Sequence, residues 1–234
     1  MIILTIKSAF WLILLSIFSS GLYSQAYGQA STIVAKQSVP QIENLSPAEL
    51  LQAGLSQFEA KQYHLAIKTL LAFLQLEPDN LEAYNAIGMS FGEMEEYSAA
   101  ITAFNQAIAI EQNFANAYYN RGYAHKQLGH YNLALADFNR ALELTDNQHI
   151  SALINRSLIY VFQEEYQLAV ADLTHTVELK PDEATAYYNR ALINLTIGDR
   201  SAYQKDLDTA ESLYRQAEDK TGLAQIERVR EFNY

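Results

Sequence analysis

Residues 81–114 read LEAYNAIGMSFGEMEEYSAAITAFNQAIAIEQNF, and residues 115–149 read ANAYYNRGYAHKQLGHYNLALADFNRALELTDNQH. Laid over one another, they place Gly88 on Gly122, Tyr97 on Tyr131, Ala100 on Ala134 and Phe104 on Phe138, each pair 34 residues apart. The register continues in both directions. Small residues recur at Gly54, Gly88, Gly122, Ser157 and Ala191, and a second small series runs Ala66, Ala100, Ala134 and Ala169 before breaking at Tyr203. A bulky series runs Leu70, Phe104, Phe138, Leu173 and Leu207, and Tyr63, Tyr97, Tyr131 and Tyr166 hold the same phase. The spacing is 34 residues everywhere except between the third and fourth units, where it is 35. Several independent residue classes in one register mean an internal repeat.

Within each unit, two stretches with helical apolar spacing flank a polar break such as Glu93-Met94-Glu95-Glu96 or Leu128-Gly129-His130. Each unit is therefore a helical hairpin. The small residue of the first helix is expected to face the small residue of the second, letting the pair approach closely, while the bulky Leu or Phe fills the gap toward the next hairpin. One hairpin cannot bury its own apolar faces, so stability must come from stacking. Helical patterning starts at Ser46-Pro47-Ala48-Glu49, which reads as a capping box with Pro at the first helical position.

These positions resemble the tetratricopeptide repeat family. In the first repeat the matching residues are Leu50, Gly54, Tyr63, Ala66, Leu70 and Pro78, and in the second Tyr84, Gly88, Phe91, Tyr97, Ala100, Phe104 and Ala107. The third gives Tyr118, Gly122, Tyr131, Ala134, Phe138 and Ala141; the fourth gives Leu153, Ser157, Tyr160, Tyr166, Ala169, Leu173 and Pro181; the fifth gives Tyr187, Ala191, Leu207 and Ala210. Phe73, Arg200 and Tyr203 depart from the pattern, all in the two terminal repeats, where capping units are atypical. The resemblance implies an all-α fold, a right-handed solenoid of five helix-turn-helix hairpins over 47–80, 81–114, 115–149, 150–183 and 184–217. Residues 218–234 carry Leu223, Ile226, Val229 and Phe232 at near-helical spacing and are expected to form a capping helix.

The remaining features bound the function. Residues 1–30 have the layout of a signal peptide: Lys7, an apolar run from Ala9 to Phe18, then small-residue exits near Ser24–Ala30. An uncleaved anchor is the alternative, and either outcome places the rest outside the cytoplasm, in a secreted, periplasmic or thylakoid-lumen setting. Residues 31–46 read as a linker. The formal net charge of −11 argues against nucleic acid and against anionic lipid surfaces, both of which need clustered Lys and Arg. There are no cysteines, hence no disulfide, thiolate nucleophile or zinc finger. The histidines, His64, His125, His130, His149 and His175, form no metal-ligand pair, and there is no glycine-rich phosphate loop. No catalytic residue, metal or cofactor is expected.

What stands out is the recurrence Asn120-Arg121-Gly122, Asn155-Arg156-Ser157 and Asn189-Arg190-Ala191. First helices line the concave surface of tetratricopeptide arrays, so the resemblance places Asn120, Asn155 and Asn189 as a ladder along a groove. An amide both donates and accepts, and could pair with an extended peptide backbone whatever its sequence; the alternative is that these amides bridge neighbouring helices. Met89, Tyr119, Tyr123, Leu158, Tyr188 and Leu192 fall beside the ladder, although part of this set could equally be hairpin core. Arg156 is expected to pair with Asp137, and Arg190 with Asp172, across repeat junctions. The positions that form the family's carboxylate clamp for chaperone tails hold no basic residue in any frame, for example Asn85, Met89, Asn120, Ser151 and Asn155. The expected function is a scaffold that holds a protein or peptide segment, with a self-associating spacer as the alternative.

Overall fold

Ser46 opens the first helix as its residue types predict: Glu49 N donates to Ser46 Oγ at 3.4 Å, and Ser46 N donates to Glu49 Oε2 at 2.8 Å. The Ser46 hydroxyl, which donates to Glu49 Oε2 at 2.6 Å, and then the Ser46 N–H hold the Glu49 carboxyl below its ordinary pKa. The computed structural model describes residues 45–232. The signal segment and nearly all of the linker expected from the sequence lie outside the described residues. Among the described residues, 45–227 belong to one compact unit and 228–232 to a second.

The described residues fold into helices with no strand: α1 (Pro47–Glu59), α2 (Tyr63–Leu74), α3 (Leu81–Glu93), α4 (Tyr97–Ile110), α5 (Ala115–Gln127), α6 (Tyr131–Glu143), α7 (Ile150–Phe162), α8 (Tyr166–Leu179), α9 (Ala184–Thr196), α10 (Arg200–Gln216) and α11 (Lys220–Phe232). Odd and even helices from α1 to α10 pair as five hairpins, and each hairpin through the fourth packs on the next, giving an all-α solenoid. The turn within each hairpin is built identically. Lys61, Glu95, Gly129, Glu164 and Gly198 each take a left-handed φ between 59° and 88°. The residue after each donates its N–H to the carbonyl five residues back, as in Glu96 N to Phe91 O at 2.9 Å and Asp199 N to Asn194 O at 2.8 Å. This is the Schellman ending of a helix. Only two of the five turns use glycine; at the other three a side chain tolerates the left-handed well at a cost of about 1 kcal/mol.

The close approach inside each hairpin differs from the expectation. A Cβ on Gly54 would fall on Leu70, one on Gly88 would fall 2.5 Å from the Phe104 ring, and one on Gly122 would fall 2.9 Å from the Phe138 ring. At Gly54, Gly88 and Gly122 the small first-helix residue therefore receives the bulky side chain of its own second helix, which the expectation had filling only the gap toward the next hairpin. Phe104, Phe138, Leu70, Leu173 and Leu207 are all buried, as is the Ala series. Phe73, one of the departures from the repeat pattern, fills a cluster with Leu50, Leu70, Ala83 and Ile87 that ties the first hairpin to the second.

The ion pairs also correct the expectation. Arg121 grips Asp137 through Nε–Oδ2 at 2.9 Å and Nη2–Oδ1 at 2.7 Å; Arg156 grips Asp172 at 2.8 and 2.6 Å; Arg190 grips Asp206 at 2.8 and 2.8 Å. Each clasp is bidentate and lies within one hairpin, not across a junction. The third guanidinium nitrogen does cross the junction, but to neutral acceptors: Arg121 to Asn105 at 2.6 Å, Arg156 to Asn139 at 2.7 Å and Arg190 to Thr174 at 3.0 Å. The Asp partners are nearly inaccessible, so a carboxylate stripped of its guanidinium would be left buried and uncompensated.

At the C-terminal end α10 runs 17 residues against 12 to 14 for α2, α4, α6 and α8. Its extra turn carries Tyr214, which is buried and hydrogen-bonds Thr185 at the start of α9. Gly222 of α11 lies directly on the Tyr214 ring, with no room for a Cβ.

Two predictions follow from the packing and the clasps. Gly88→Ala should lower stability by about 1–3 kcal/mol by overpacking. Gly92→Ala, with open space around the added methyl, should raise it by about 0.5–1 kcal/mol through helix propensity, both read by chemical denaturation. A double-mutant cycle on Arg156 and Asp172 should give a coupling of about 1–3 kcal/mol, while the same cycle on Arg156 and Asp137 should give close to zero.

Candidate functional site

The first helices form a continuous row. α1 touches α3, α3 touches α5 and α5 touches α7 directly. This puts the first-helix side on the inside of the stack, where side chains of successive repeats meet.

The amides of this face are engaged with one another. Asn120 Nδ2 donates to Asn85 Oδ1 at 3.0 Å, joining α5 to α3, and Asn85 Nδ2 turns to Met89 Sδ at 3.4 Å. Asn155 on α7 is engaged on both sides of its amide. Its Oδ1 accepts from Lys126 Nζ at 2.6 Å, and its Nδ2 donates to Ser151 O at 2.9 Å and to Tyr119 OH at 3.4 Å. Asn189 is only 9 % exposed. In the isolated chain Asn120 and Asn155 thus bridge adjacent first helices, Asn120 with one N–H and Asn155 with both N–H groups and its oxygen engaged, while Asn189 is interior.

The apolar members divide in the same manner. Met89, Tyr119 and Leu158 are half-buried and Tyr123 is exposed, with its hydroxyl accepting from Gln127 Nε2 at 2.8 Å. Tyr188 and Leu192, in the same register two repeats on, are 3 % and 6 % exposed. They belong to the interior of the fifth hairpin, where α10 is a turn longer and closes on α9. The accessible part of the candidate face is therefore α3, α5 and α7.

One residue of this face escaped the sequence reading. Lys126 is 7 % exposed, donates to Asn155 and lies 4.7 Å over the Tyr123 ring. Burial lowers its pKa to about 8. Its repeat-equivalents are Phe58, Gly92, Val161 and Leu195, so a lone cation in an otherwise uncharged register position was the available signal. The cation reaches from α5 to α7 and is one link in a chain of contacts, Lys126–Asn155–Tyr119, that continues to His149. The Tyr119 and His149 rings lie 4.6 Å apart, and burial raises the Tyr119 pKa and lowers that of His149. Among the described residues no group of three or more His, Cys, Asp or Glu is arranged to hold a metal ion. Asn194, which begins an Asn-x-Thr sequon, is buried and donates to Asp206 at 3.3 Å.

Comparison with known proteins agrees with this architecture. A family described as TPR repeat matches residues 90–129, and families described as Tetratricopeptide repeat match residues 115–147 and 154–224. A search of curated proteins found no match. Among solved structures, a crystal structure of MamA protein superposes with a TM-score of 0.64 at 20 % identity, covering 74 % of this chain and 95 % of that one. MamA 41-end from Desulfovibrio magneticus RS-1 gives 0.66 at 17 % identity, covering 73 % and 96 %. YrrB, described as a TPR protein with an unusual peptide-binding site, gives 0.61 at 18 % identity, covering 78 % and 92 %.

The Lys126 environment yields a direct check. Because its folded pKa is depressed, the unfolded chain binds the proton more tightly, and the group's contribution to stability should grow as pH rises from about 8 toward the free lysine value of about 10.4. Lysine-selective NMR titration should show one side chain titrating about two units below the rest, and Lys126→Met should remove that signal.

Proposed function

We infer that this chain, which belongs to the tetratricopeptide repeat family, is a non-enzymatic protein-interaction scaffold that holds a partner segment on the first-helix face of its second, third and fourth hairpins. The observation that carries this reading is the side-by-side placement on α3, α5 and α7 of apolar and aromatic groups that reach the surface with amides that can exchange partners. Met89, Tyr123 and Leu158 offer contact area. Tyrosine suits the task because it buries a large ring while keeping a polar handle. Asn120 commits one N–H to Asn85 and retains an acceptor and a second donor for a peptide backbone. The occupant that fits is an extended or helical segment with apolar anchors. A tail recognised through paired carboxylates fits poorly, because Asn85, Met89, Asn120, Ser151 and Asn155 supply no cation. YrrB's peptide-binding site on a similar fold is consistent with this use of the array.

The setting we infer is extracytoplasmic, either secreted or tethered by residues 1–30, where such a scaffold would assemble or stabilise protein complexes. No nucleic acid, cofactor or metal enters this reading. A spacer that stacks with copies of itself and leaves the face unused is the second reading. It is favoured by the exposed apolar side chains Leu128, Leu133, Phe162, Leu168 and Ile197 near the hairpin turns.

Affinity capture with residues 31–234 from the native extracytoplasmic fraction separates the two. Asn120→Ala with Tyr123→Ala should weaken the captured partner about tenfold or more, as loss of central anchors does. Leu133→Ser with Leu168→Ser should leave capture intact. The reverse pattern would move the binding surface to the turn edge and overturn the groove reading.

A further inference from the structure

α7 begins at the one junction where the repeat spacing lengthens to 35, and its N-cap is a histidine. Ala152 N donates in a forked bond to His149 Nδ1 at 3.3 Å and to His149 O at 3.0 Å, so the ring nitrogen supplies the side-chain arm of the cap. N-caps are ordinarily Ser, Thr, Asp or Asn, whose oxygens accept whatever the pH. A ring nitrogen accepts only while it lacks a proton, so this bond fixes the proton of a neutral imidazole on Nε2. A protonated ring would turn an N–H toward the Ala152 N–H and add positive charge at the positive end of the α7 dipole.

The same ring supports the candidate face. It packs on Tyr119, whose hydroxyl accepts from Asn155 Nδ2, and Asn155 in turn holds Lys126. We propose that His149 is a proton-operated cap: on acidification it releases the start of α7 and, through Tyr119, loosens the α5–α7 part of the groove. The proposal concerns regulation of the face assigned above, and its consequence for binding rests on that reading.

The groups around the ring set the direction. From α5 the facing titratable group is the Tyr119 phenol, neutral throughout this range; from α7 the ring meets the Ala152 backbone N–H, which does not titrate. In the preceding loop Asp146 is exposed, and from α8 His175 Nε2 lies 3.1 Å from Asn147 O while its Nδ1 lies 3.6 Å from Glu178. Burial holds His149 below the ordinary histidine value. The folded state thus resists a proton that the unfolded chain accepts. The cap's stabilisation is complete above the free histidine pKa of about 6.5 and is lost as pH falls through the lower folded value. His125 on α5 is also lowered by burial, with Asp137, Arg121 and His130 around it, and titrates in the same direction.

Amide hydrogen exchange on the full chain tests the cap without a ligand. Between about pH 7.5 and about pH 5.5 the protection of Ala152 and Leu153, corrected for intrinsic exchange, should fall about five- to tenfold, the size of a lost N-cap. His149→Asn keeps an acceptor and removes the titration, so its protection should stay flat, whereas His125→Gln should leave the wild-type fall in place. A fall of equal size in His149→Asn, or none in the wild type, overturns the proposal. So does a His149 Cε1–H resonance titrating above 6.5. A failed capture experiment would leave these outcomes untouched, which keeps the cap and the groove separately testable.

Discussion

The array depends on how closely the two helices of a hairpin can lie: a missing Cβ sets that distance in the first three hairpins, and the small Ser157 and Ala191 hold the same position in the other two. Gly88 leaves the hollow that the Phe104 ring occupies, and Gly54 and Gly122 do the same for Leu70 and Phe138. Once the ring is seated, the helix axes, the turn and the direction of every other side chain on the pair are fixed. The Schellman turns that join the helices are then a consequence, since the second helix must start at a given height. Three of the five tolerate a left-handed Lys or Glu to reach it.

Upon that frame sit two kinds of junction. In the first two hairpins the contact is apolar: Leu50, Leu70, Phe73, Ala83, Ile87 and Ala103 form one cluster. From the third hairpin on, the positions equivalent to Ile87 and Ala103 become Arg and Asp, and a guanidinium clasp replaces methyl packing while its remaining nitrogen reaches the preceding hairpin. Thr69, at the Asp position of the first hairpin, keeps a buried hydroxyl oxygen without a partner. The groove amides fall in the mixed region between these regimes, where Lys126 and Tyr119 contribute to its polar contacts.

The repeat, its length, the helix pairing and the Ser46 cap were legible in the sequence because each is a matter of phase along the chain. What phase cannot do is choose between partners that share it. Arg156 stands 16 residues before Asp172 and 19 after Asp137, and both are in register; only the hairpin geometry selects Asp172. Exposure is likewise not periodic. Tyr119 and Tyr188 occupy one register position, yet Tyr188 is interior because it lies near the end of the array, where neighbours differ. Lys126 and His149 were readable as types and positions. Their roles arise from contacts with the adjoining repeat, which only the fold brings together.

The clasps have a kinetic side as well. Gly with Phe, and Arg with Asp, both meet at a separation of 16 residues, so a hairpin can close on contacts drawn from its own short stretch of chain. Low contact order of this kind makes for fast, local folding, and in a linear array a closed hairpin is a template for either neighbour. A chain emerging from its ribosome N-terminus first can then build its stack hairpin by hairpin, without waiting for its far end.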